Sequence, residues 1–480
     1  MLRFPRPTQC EQSSHAELGE LPAVYPVIAG VTVVEYATRL ERHIYRPVDA
    51  EYETACRTWA LAADLRPAAV AFPRTPDEAI DVVRQAAADG LRVAPIGTGH
   101  GAYSFGDLSD TVLVRTNRLS DYQIDPGAGT VRVGAGAIWV PLIDMLGEYG
   151  LAVLHGTAPT GGIVGHTLGG GIGWYGRSRG LAANSVTAVE LITADGELVR
   201  IDANHDPELF WALRGGGGAN FGLVTALEFT PEPIRTAYAG VLVWDLREAE
   251  RVLPRWVEWT ASVPDAVTSI YRQVQYPLVP EIPDLLRGRK LVVVDGAVLG
   301  SDAEAEAIMA PLRELRPKWD TFRRVPARSL SRLHNDSEQP STGGLRSALL
   351  GALPSAALDQ LLSVTSDSSL VVTAELRQLG GALSRPAPGG GVLNRLDGEF
   401  LLFAGGVATG PERARTIADH DRTLEAMAPW FANRSYLNFA QQAVDPATGF
   451  DPGAWQSLLR IRRRVDPYGV FRANHEIPRV

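Results

Sequence analysis

Short apolar runs separated by small, flexible residues characterise the first half of the chain. The strongest hairpin signal lies at Asp195-Gly196, a dipeptide that favours a tight turn between the alternating runs 185–193 and 197–201. A helix is predicted between Thr75, which suits an N-cap, and Gly90, a stop signal. Further strands are predicted at 91–96, 112–115, 130–133 and 222–229, and further helices at about 139–149 and after Asp206.

Longer strands that alternate with longer helices follow from Tyr238 onward. Strands are predicted at 238–244, 269–275, 290–299, 369–377 and 400–407, and helices at 247–262, 302–315, 411–427 and 451–464. The first 45 residues show no strong pattern and are expected to pack as an arm. Strands that share one sheet with helices on one face predict an α+β fold.

Three glycine-rich segments interrupt the first half of the chain. The strand-like run 91–96 leads into Gly97-Thr-Gly-His-Gly-Ala102, which places His100 among glycines whose backbone can approach a ligand closely. In residues 156–173, eight of eighteen residues are glycine, and the apolar residues between them favour burial over a solvated loop. Residues 214–222 form the third segment. Successive backbone N–H groups in such loops can bind an anion, so we expect one large anionic cofactor.

Other apparent sequence motifs are not supported by the secondary structure predicted around them. Gly97 to Ala102 matches a dinucleotide pattern, but no helix follows to meet a pyrophosphate, and the next predicted strand arrives about ten residues later. Gly176-Arg-Ser-Arg-Gly180 matches a nucleophile elbow, but Ser178 lies between a glycine loop and a strand, so we interpret it as a turn. The nine histidines do not take metal-ligand spacing, so no metal is expected.

Composition narrows the class of protein further. At 480 residues the chain exceeds what one hydrophobic core usually serves, which favours two domains. A net charge of −9 argues against nucleic-acid and anionic-membrane partners. Cys10 and Cys56 are the two cysteines, and the N-terminus lacks the apolar core of a signal peptide, so the cytoplasm is the expected compartment.

Together with the closing Val465-Asp-Pro-Tyr-Gly-Val-Phe, these motifs carry a family resemblance. From about residue 50 to the C-terminus, the chain resembles the berberine bridge enzyme-like FAD-linked oxidases, a group within the vanillyl-alcohol oxidase superfamily whose FAD-binding domain is of the PCMH type. The resemblance implies two domains, with a split FAD-binding domain at 1–235 and 440–480. Residues 236–439 would form a substrate domain of antiparallel sheet covered by helices.

The resemblance implies that His100 bonds covalently to the flavin. Many relatives add a second bond from a cysteine, where this chain has Ala158, so a single link is expected. His166 would stand beside the pyrimidine end of the flavin, where a protonated or donor imidazole would stabilise negative charge. The other implied cofactor contacts are Gly97, Thr98, Gly99, Gly101, Ala102, Thr160, Gly161, Gly162, Gly169, Gly170, Gly171, Gly173, Asn184, Gly222, Val224 and Asn438. At Gly161, where relatives vary the side chain that guards oxygen access, a glycine favours an oxidase.

The resemblance also implies substrate-facing residues. In Tyr436-Leu-Asn-Phe439, Tyr436 would take a proton from the substrate if a neighbouring charge lowered its pKa from about 10. Period-two alternation puts Glu375 and Gln378 on opposite faces of one strand, so they are rival candidates. Many relatives have a His-Arg pair after that strand, where this chain has Asn394-Arg395, so no histidine role is expected there.

The predicted function is oxidation by hydride transfer to flavin. The substrate would be a small alcohol, phenol or amine, with a bulky or aromatic secondary metabolite preferred, and molecular oxygen would reoxidise the flavin to give hydrogen peroxide. Two alternatives stay open: a dehydrogenase that uses another electron acceptor, and a protein that binds flavin without turnover.

Overall fold

The structure is a computed structural model of the single chain. It describes residues 43–479 except 277, 279–285, 366–370, 408–412 and 442. The predicted N-terminal arm therefore falls almost wholly outside the described residues, as do Cys10 and the starts of the strand predicted from 369 and the helix predicted from 411.

A small sheet of four strands begins the described chain. Its strands are β1 (Ile44–Tyr45), β2 (Ala69–Ala71), β3 (Arg92–Ile96) and β4 (Thr111–Arg115), in the order β1-β2-β4-β3. The neighbours β2, β4 and β3 are parallel. Helices α1 (Tyr52–Cys56) and α2 (Pro76–Ala88) accompany this sheet. The predicted cap is confirmed, because the Thr75 side chain accepts from the backbone N–H of Glu78.

The second sheet has five antiparallel strands in the order β5-β6-β9-β7-β8. They are β5 (Tyr122–Asp125), β6 (Thr130–Gly134), β7 (Val186–Ile192), β8 (Leu198–Asp202) and β9 (Leu223–Phe229). The predicted hairpin is confirmed, since Ile192 pairs with Leu198 across the turn. The accompanying helices are α3 (Trp139–Glu148), α4 (Ile163–Leu168), α5 (Gly176–Arg179) and α6 (Pro207–Gly216).

Two short helices correct the sequence interpretation of this region. Residues 163–168 form α4 within the segment predicted as a glycine loop, because the apolar Ile163, Val164 and Leu168 bury one helical face. The segment around Ser178, interpreted as a turn, contains the one-turn helix α5. The Arg177 side chain of α5 is buried and donates to the Val267 carbonyl at 2.6 Å. Val267 belongs to the third sheet, described next, so this arginine holds α5 against that sheet.

The third and largest sheet has eight strands in the described part of the chain, and their pairings are antiparallel. They are β10 (Thr236–Asp245), β11 (Val267–Gln275), β12 (Lys290–Val298), β13 (Trp319–Asp320), β14 (Arg323–Pro326), β15 (Gly343–Leu350), β16 (Thr373–Gln378) and β17 (Phe400–Val407). The remaining helices are α7 (Ala249–Ser262), α8 (Asp302–Arg313), α9 (Ser355–Val364), α10 (Arg413–Met427) and α11 (Pro452–Val465). Strand β15 and helix α9 were not predicted from the sequence.

The two faces of the third sheet differ in chemistry. One face packs against helices through an apolar cluster that includes Leu242, Leu376 and the fully buried Trp256. Residues of the opposite face include Arg272, Asp295 and Glu375, all buried although charged. Helices on one side of an antiparallel sheet confirm the α+β prediction.

The C-terminal segment returns to the first sheet. After α11, both oxygens of the buried Asp466 carboxylate accept backbone N–H bonds, at 2.8 Å from Val470 and 2.8 Å from Phe471. Phe471 then bridges to Val93 at the edge of β3. This packing supports a split domain, while the predicted limits at 235 and 440 stay a prediction. None of the helices in the described part of the chain is long and apolar enough to cross a membrane.

Candidate functional site

One large cavity, of about 430 Å³, lies between the glycine segments and the charged face of the third sheet. Residues 97–101 and 215–220 line it together with parts of the segment 156–169. Arg272, Glu375 and Arg377 line it from the sheet. The cavity thus joins all three segments that the sequence singled out.

Close packing explains why the first loop needs glycine at position 99. The backbone of Gly99 has φ +85°, and a Cβ there would come within 2.5 Å of the Thr58 Cβ. A larger residue would be strained in conformation and would displace the chain segment between α1 and β2. The loop that carries His100 is therefore held rigidly against residues 57–60.

His100 lies on the cavity wall with its imidazole fixed on two sides. Its ring stacks on Trp59, with ring centroids 4.1 Å apart and planes inclined by 16°. Its Nδ1 lies 2.8 Å from Thr98 Oγ1, while Nε2 has no hydrogen-bond partner among the described residues. Burial lowers the pKa of His100 to about 4, so the imidazole is neutral near pH 7 and keeps a lone pair.

His166 is also neutral. Its Nε2 lies 3.2 Å from the Ile172 carbonyl oxygen, and its ring meets Trp139 edge to face. Burial lowers the pKa of His166 to about 4. Of the two forms that the sequence left open, the geometry favours a neutral ring, whose N–H donates to the Ile172 carbonyl while Nδ1 has no partner in the described part of the chain.

The predicted cofactor contacts divide into two groups. Those that line the cavity are Gly97, Thr98, Gly99, His100, Gly101, Ala158, Gly161, Gly162, His166, Gly169, Val224 and Asn438. Those that lie off its wall are Ala102, Thr160, Gly170, Gly171, Gly173, Asn184 and Gly222. Packing accounts for glycines of the second group: a Cβ at Gly173 would lie 1.8 Å from the His155 carbonyl oxygen.

The structure separates the rivals Glu375 and Gln378. Glu375 and Arg377 point into the cavity, whereas Gln378 points to the helix-covered face and donates to the Thr260 carbonyl of α7 at 3.0 Å. Glu375 is the substrate-facing candidate of the two.

A buried network of charges surrounds Glu375. His334 bridges two carboxylates, with Nδ1 2.7 Å from Asp295 Oδ2 and Nε2 3.2 Å from Glu375 Oε1. Arg377 contacts the other Glu375 oxygen at 3.0 Å, and Arg272 pairs with Asp295 at 2.8 Å. Charged groups this deeply buried are stable only when they are paired.

The network shifts the titration of its members in opposite directions. Burial raises the pKa of Glu375, but Arg377, His334 and Arg272 more than offset this and hold the carboxyl well below its usual range. For His334, burial and Arg272 lower the pKa, yet Glu375 and the neighbouring aspartates raise it above its ordinary value. His334 therefore lies between two carboxylates, and Arg377 Nη2 also lies 3.2 Å from its Nε2.

Thr157 connects the second glycine segment to this network. Its hydroxyl donates to Asp336 Oδ2 at 2.8 Å and accepts from Arg377 Nη1 at 3.2 Å. Thr157 precedes Ala158, so the second glycine segment is tied directly to the charged face of the third sheet.

Tyr436, the predicted proton acceptor, lies off the wall of the cavity, with its ring stacked on that of Phe439. It is absent from the cavity wall and sits in an apolar cluster with Ile172, Leu393 and Leu401. Burial raises the pKa of its hydroxyl far above the ordinary value, which is the opposite of what a proton acceptor needs. Asn438 lies on the wall beside it and donates to the His166 carbonyl at 2.9 Å.

Sequence reasoning missed several wall residues. Trp59 lies in a segment without periodicity, and Asp336 follows a short 3₁₀ stretch that gives no pattern either. Arg272 lies on a predicted strand, but it shares a face with the apolar Ile270 and Val274, so alternation alone does not single it out.

Comparison with known proteins now adds to this geometry. Residues 67–202 match a family described as an FAD binding domain. The xylooligosaccharide oxidase of Thermothelomyces thermophilus is 35% identical over 208 residues, which cover 41% of this chain and 42% of that protein. An uncharacterized FAD-linked oxidoreductase of Bacillus subtilis is 28% identical over 236 residues, 48% of this chain and 52% of the relative. The aligned part thus spans about half the length of these relatives.

Among solved structures, berberine bridge enzyme from Eschscholzia californica superposes with a TM-score of 0.78 at 18% identity, covering 92% of this chain and 97% of that one. Fold and FAD-binding segment define a two-domain flavoprotein of α+β architecture. The fold is that of the berberine bridge enzyme-like proteins, so the resemblance stated from the sequence is confirmed. The names of the relatives support the prediction of an FAD-dependent oxidoreductase.

Proposed function

We propose that this protein is an oxidase with FAD bound covalently through His100. The observation that carries the proposal is the cavity itself, in which a glycine wall with a neutral histidine faces a fixed array of charges. The wall also offers unpaired polar atoms: His100 Nε2, His166 Nδ1 and Gln441 Oε1 are buried without partners among the described residues. Such atoms are rare in folded proteins, and a polar ligand would satisfy them.

The residues present fit a singly attached flavin. When bound, the flavin ring supplies a two-electron acceptor. Neutral His100 keeps the lone pair that a carbon–nitrogen bond requires, whereas Ala158 has no thiol for a second bond. The backbone at Gly97, Gly99 and Gly101 leaves room for close approach without charged side chains.

The substrate would lie against the third sheet. His334 and Arg377 each contact one oxygen of Glu375, and these contacts fix the orientation of the carboxylate. Each oxygen has a second lone pair, so the carboxylate can still accept a hydrogen bond from a substrate hydroxyl or amine. Arg377 also lies 5.1 Å from the Phe439 ring centroid and 6.0 Å from that of Phe403. This combination favours a small alcohol, phenol or amine with an aromatic or bulky body. We assign the substrate contact to Glu375 and not to Tyr436, because Glu375 lines the cavity whereas Tyr436 lies off its wall.

The proposed partners are a small organic substrate and molecular oxygen. A side chain at Gly161 would approach Ala158 O at 3.2 Å and the Trp139 ring at 3.5 Å, and its absence leaves that space to a small molecule. The net charge of −9 gives no support for nucleic acid, and the two cysteines favour the cytoplasm.

Anaerobic bleaching of the flavin by a panel of alcohols, phenols and amines tests this function. We expect at least one compound to bleach the flavin and oxygen then to restore its colour with formation of hydrogen peroxide. Bleaching that oxygen does not reverse, but an artificial acceptor does, would indicate a dehydrogenase. If no compound in a broad panel bleached a fully flavinated protein, the non-catalytic alternative would replace the proposal.

A further inference from the structure

Trp59 belongs to a chain segment that is held between the two sides of the cavity. Its backbone N–H donates to the Thr98 carbonyl at 2.9 Å, and its carbonyl accepts from the Ser341 N–H at 2.9 Å. Thr98 lies in the loop of His100, and Ser341 lies two residues before β15 of the third sheet. The main chain that carries the indole is therefore fixed on both sides.

The stacking of Trp59 on His100 restricts the imidazole in a way that other wall contacts do not. With a centroid separation of 4.1 Å and an inclination of 16°, the two rings are nearly parallel and in contact. The Thr98 hydroxyl, 2.8 Å from Nδ1, fixes rotation of the imidazole within that plane. Because the indole fixes the plane of the imidazole and the Thr98 hydroxyl fixes its rotation within that plane, the imidazole has one orientation.

We propose that Trp59 is a positioning residue for the bond between His100 and the flavin. The inference rests on the covalent attachment proposed above and adds a residue that lies outside the matched FAD-binding segment 67–202. Bond formation requires the nitrogen lone pair to point at the reacting carbon, and loss of alignment slows such steps steeply. The stack supplies that alignment before the flavin arrives.

The attachment step balances with oxygen as the oxidant. A nitrogen of His100 bonds to the flavin methyl carbon, and one C–H bond of that methyl group breaks. The hydrogen from carbon and the hydrogen from the imidazole leave as two protons and, together with the two electrons held by the ring, reduce molecular oxygen to hydrogen peroxide. The flavin is then oxidised and attached.

The test compares variants of the full chain purified with their flavin. Trp59→Phe keeps a flat ring against His100, whereas Trp59→Leu keeps apolar volume without a stacking face, and Trp59→Met repeats the test if the leucine variant does not fold. The matched control is Trp319→Leu, which removes a half-buried indole on the edge strand of the third sheet, where the Arg289 guanidinium lies 5.8 Å from its ring centroid and neither residue is part of the cavity wall. Total flavin is measured by absorbance and covalent flavin by the fluorescence of the acid-precipitated protein, before and after incubation with excess FAD in air.

We expect Trp59→Leu to bind FAD but to attach it about tenfold more slowly or worse, with attachment largely restored in Trp59→Phe. Trp319→Leu should attach flavin as the wild type does. Normal attachment in Trp59→Leu, or equal loss in the phenylalanine and leucine variants, would overturn the positioning role.

The same experiment separates this role from the attachment itself. Wild-type protein without covalent flavin, or His100→Ala protein that retains it, would overturn the proposed link to His100. Covalent flavin in the wild type, absent in His100→Ala and normal in Trp59→Leu, would overturn the role of Trp59 alone.

Discussion

The two sides of the cavity are built from different kinds of chemical group. On the glycine side, the wall is mostly backbone, and its histidines, His100 and His166, are neutral because burial lowers their pKa values to about 4. On the sheet side, the wall consists of paired charges, and the pKa of His334 is raised by its carboxylate neighbours despite burial. One side uses main-chain groups and shape, while the other uses side chains held in ion pairs.

The contrast suggests which side suits a ligand shared by all relatives and which side suits a ligand that differs between them. Backbone groups of glycine loops suit a cofactor that is the same in every relative. Charged side chains on adjacent strands can be exchanged one at a time, so they suit a substrate that differs between proteins. The comparison also predicts that substitutions on the two sides have different costs and opposite responses to pH.

The largest loss of stability should come from removing one partner of the buried ion pairs on the sheet side. Glu375→Gln leaves Arg377 and His334 buried without their carboxylate, and removing one partner of a buried pair costs about 3–5 kcal/mol of unfolding free energy. As a control, Glu197→Gln at the exposed pair with Arg84 should cost less than about 1 kcal/mol. Urea unfolding of both variants measures the difference, and equal costs would contradict the contrast.

A smaller effect is expected where the two sides meet. Thr157→Val removes the hydroxyl that joins Asp336 and Arg377, and leaving buried groups unsatisfied costs about 1–3 kcal/mol of stability. Thr157→Ser keeps the hydroxyl and should stay close to wild type in the same urea titration. A serine variant as unstable as the valine variant would show that the methyl group, and not the hydrogen bonds, matters.

On the glycine side, acid should destabilise the protein through its neutral histidines. His166 has a pKa of about 4 when folded and about 6.5 when unfolded, so the unfolded state binds more protons in this window. Unfolding free energy should therefore fall as pH decreases from 6.5 towards 4, by at most about 1.4 kcal/mol per pH unit for this group. His166→Gln should reduce that slope, and an unchanged slope would contradict the assignment of a neutral ring.

On the sheet side, the sign of the pH effect should reverse. The folded pKa of His334 lies above its unfolded value of about 6.5, so its stabilising contribution is full below pH 6.5 and is lost as pH rises through the folded pKa. Unfolding free energy measured from pH 6 upward should decline in the wild type and decline less in His334→Gln. A decline of the same size in both would place the titration elsewhere.

The two sides also differ in how far the sequence could predict them. The glycine segments and His100 were found because a close backbone approach requires glycine, and that requirement leaves a visible pattern. The pattern did not distinguish wall glycines from packing glycines such as Gly173, since both kinds are fixed by sterics. It also concealed helix α4, whose apolar face is short.

The sheet side was predicted only in part. Alternation placed Glu375 and Gln378 on opposite faces, but the choice between them needed helix α7, whose Thr260 carbonyl binds Gln378. Tyr436 was carried over from a motif, and its burial in an apolar cluster follows from packing that no local pattern records. His334, Asp336 and Trp59 lie outside regular strands and helices of the described chain, so only the fold brings them to the site.

The central claim is that this cavity holds FAD bound through His100. Mass spectrometry of the proteolytic peptide that contains His100, taken from acid-denatured wild-type protein, tests it most directly. The account predicts a peptide heavier by one attached flavin, with fragmentation locating the bond at His100. An unmodified His100 peptide, with all flavin released into the acid supernatant, would contradict it.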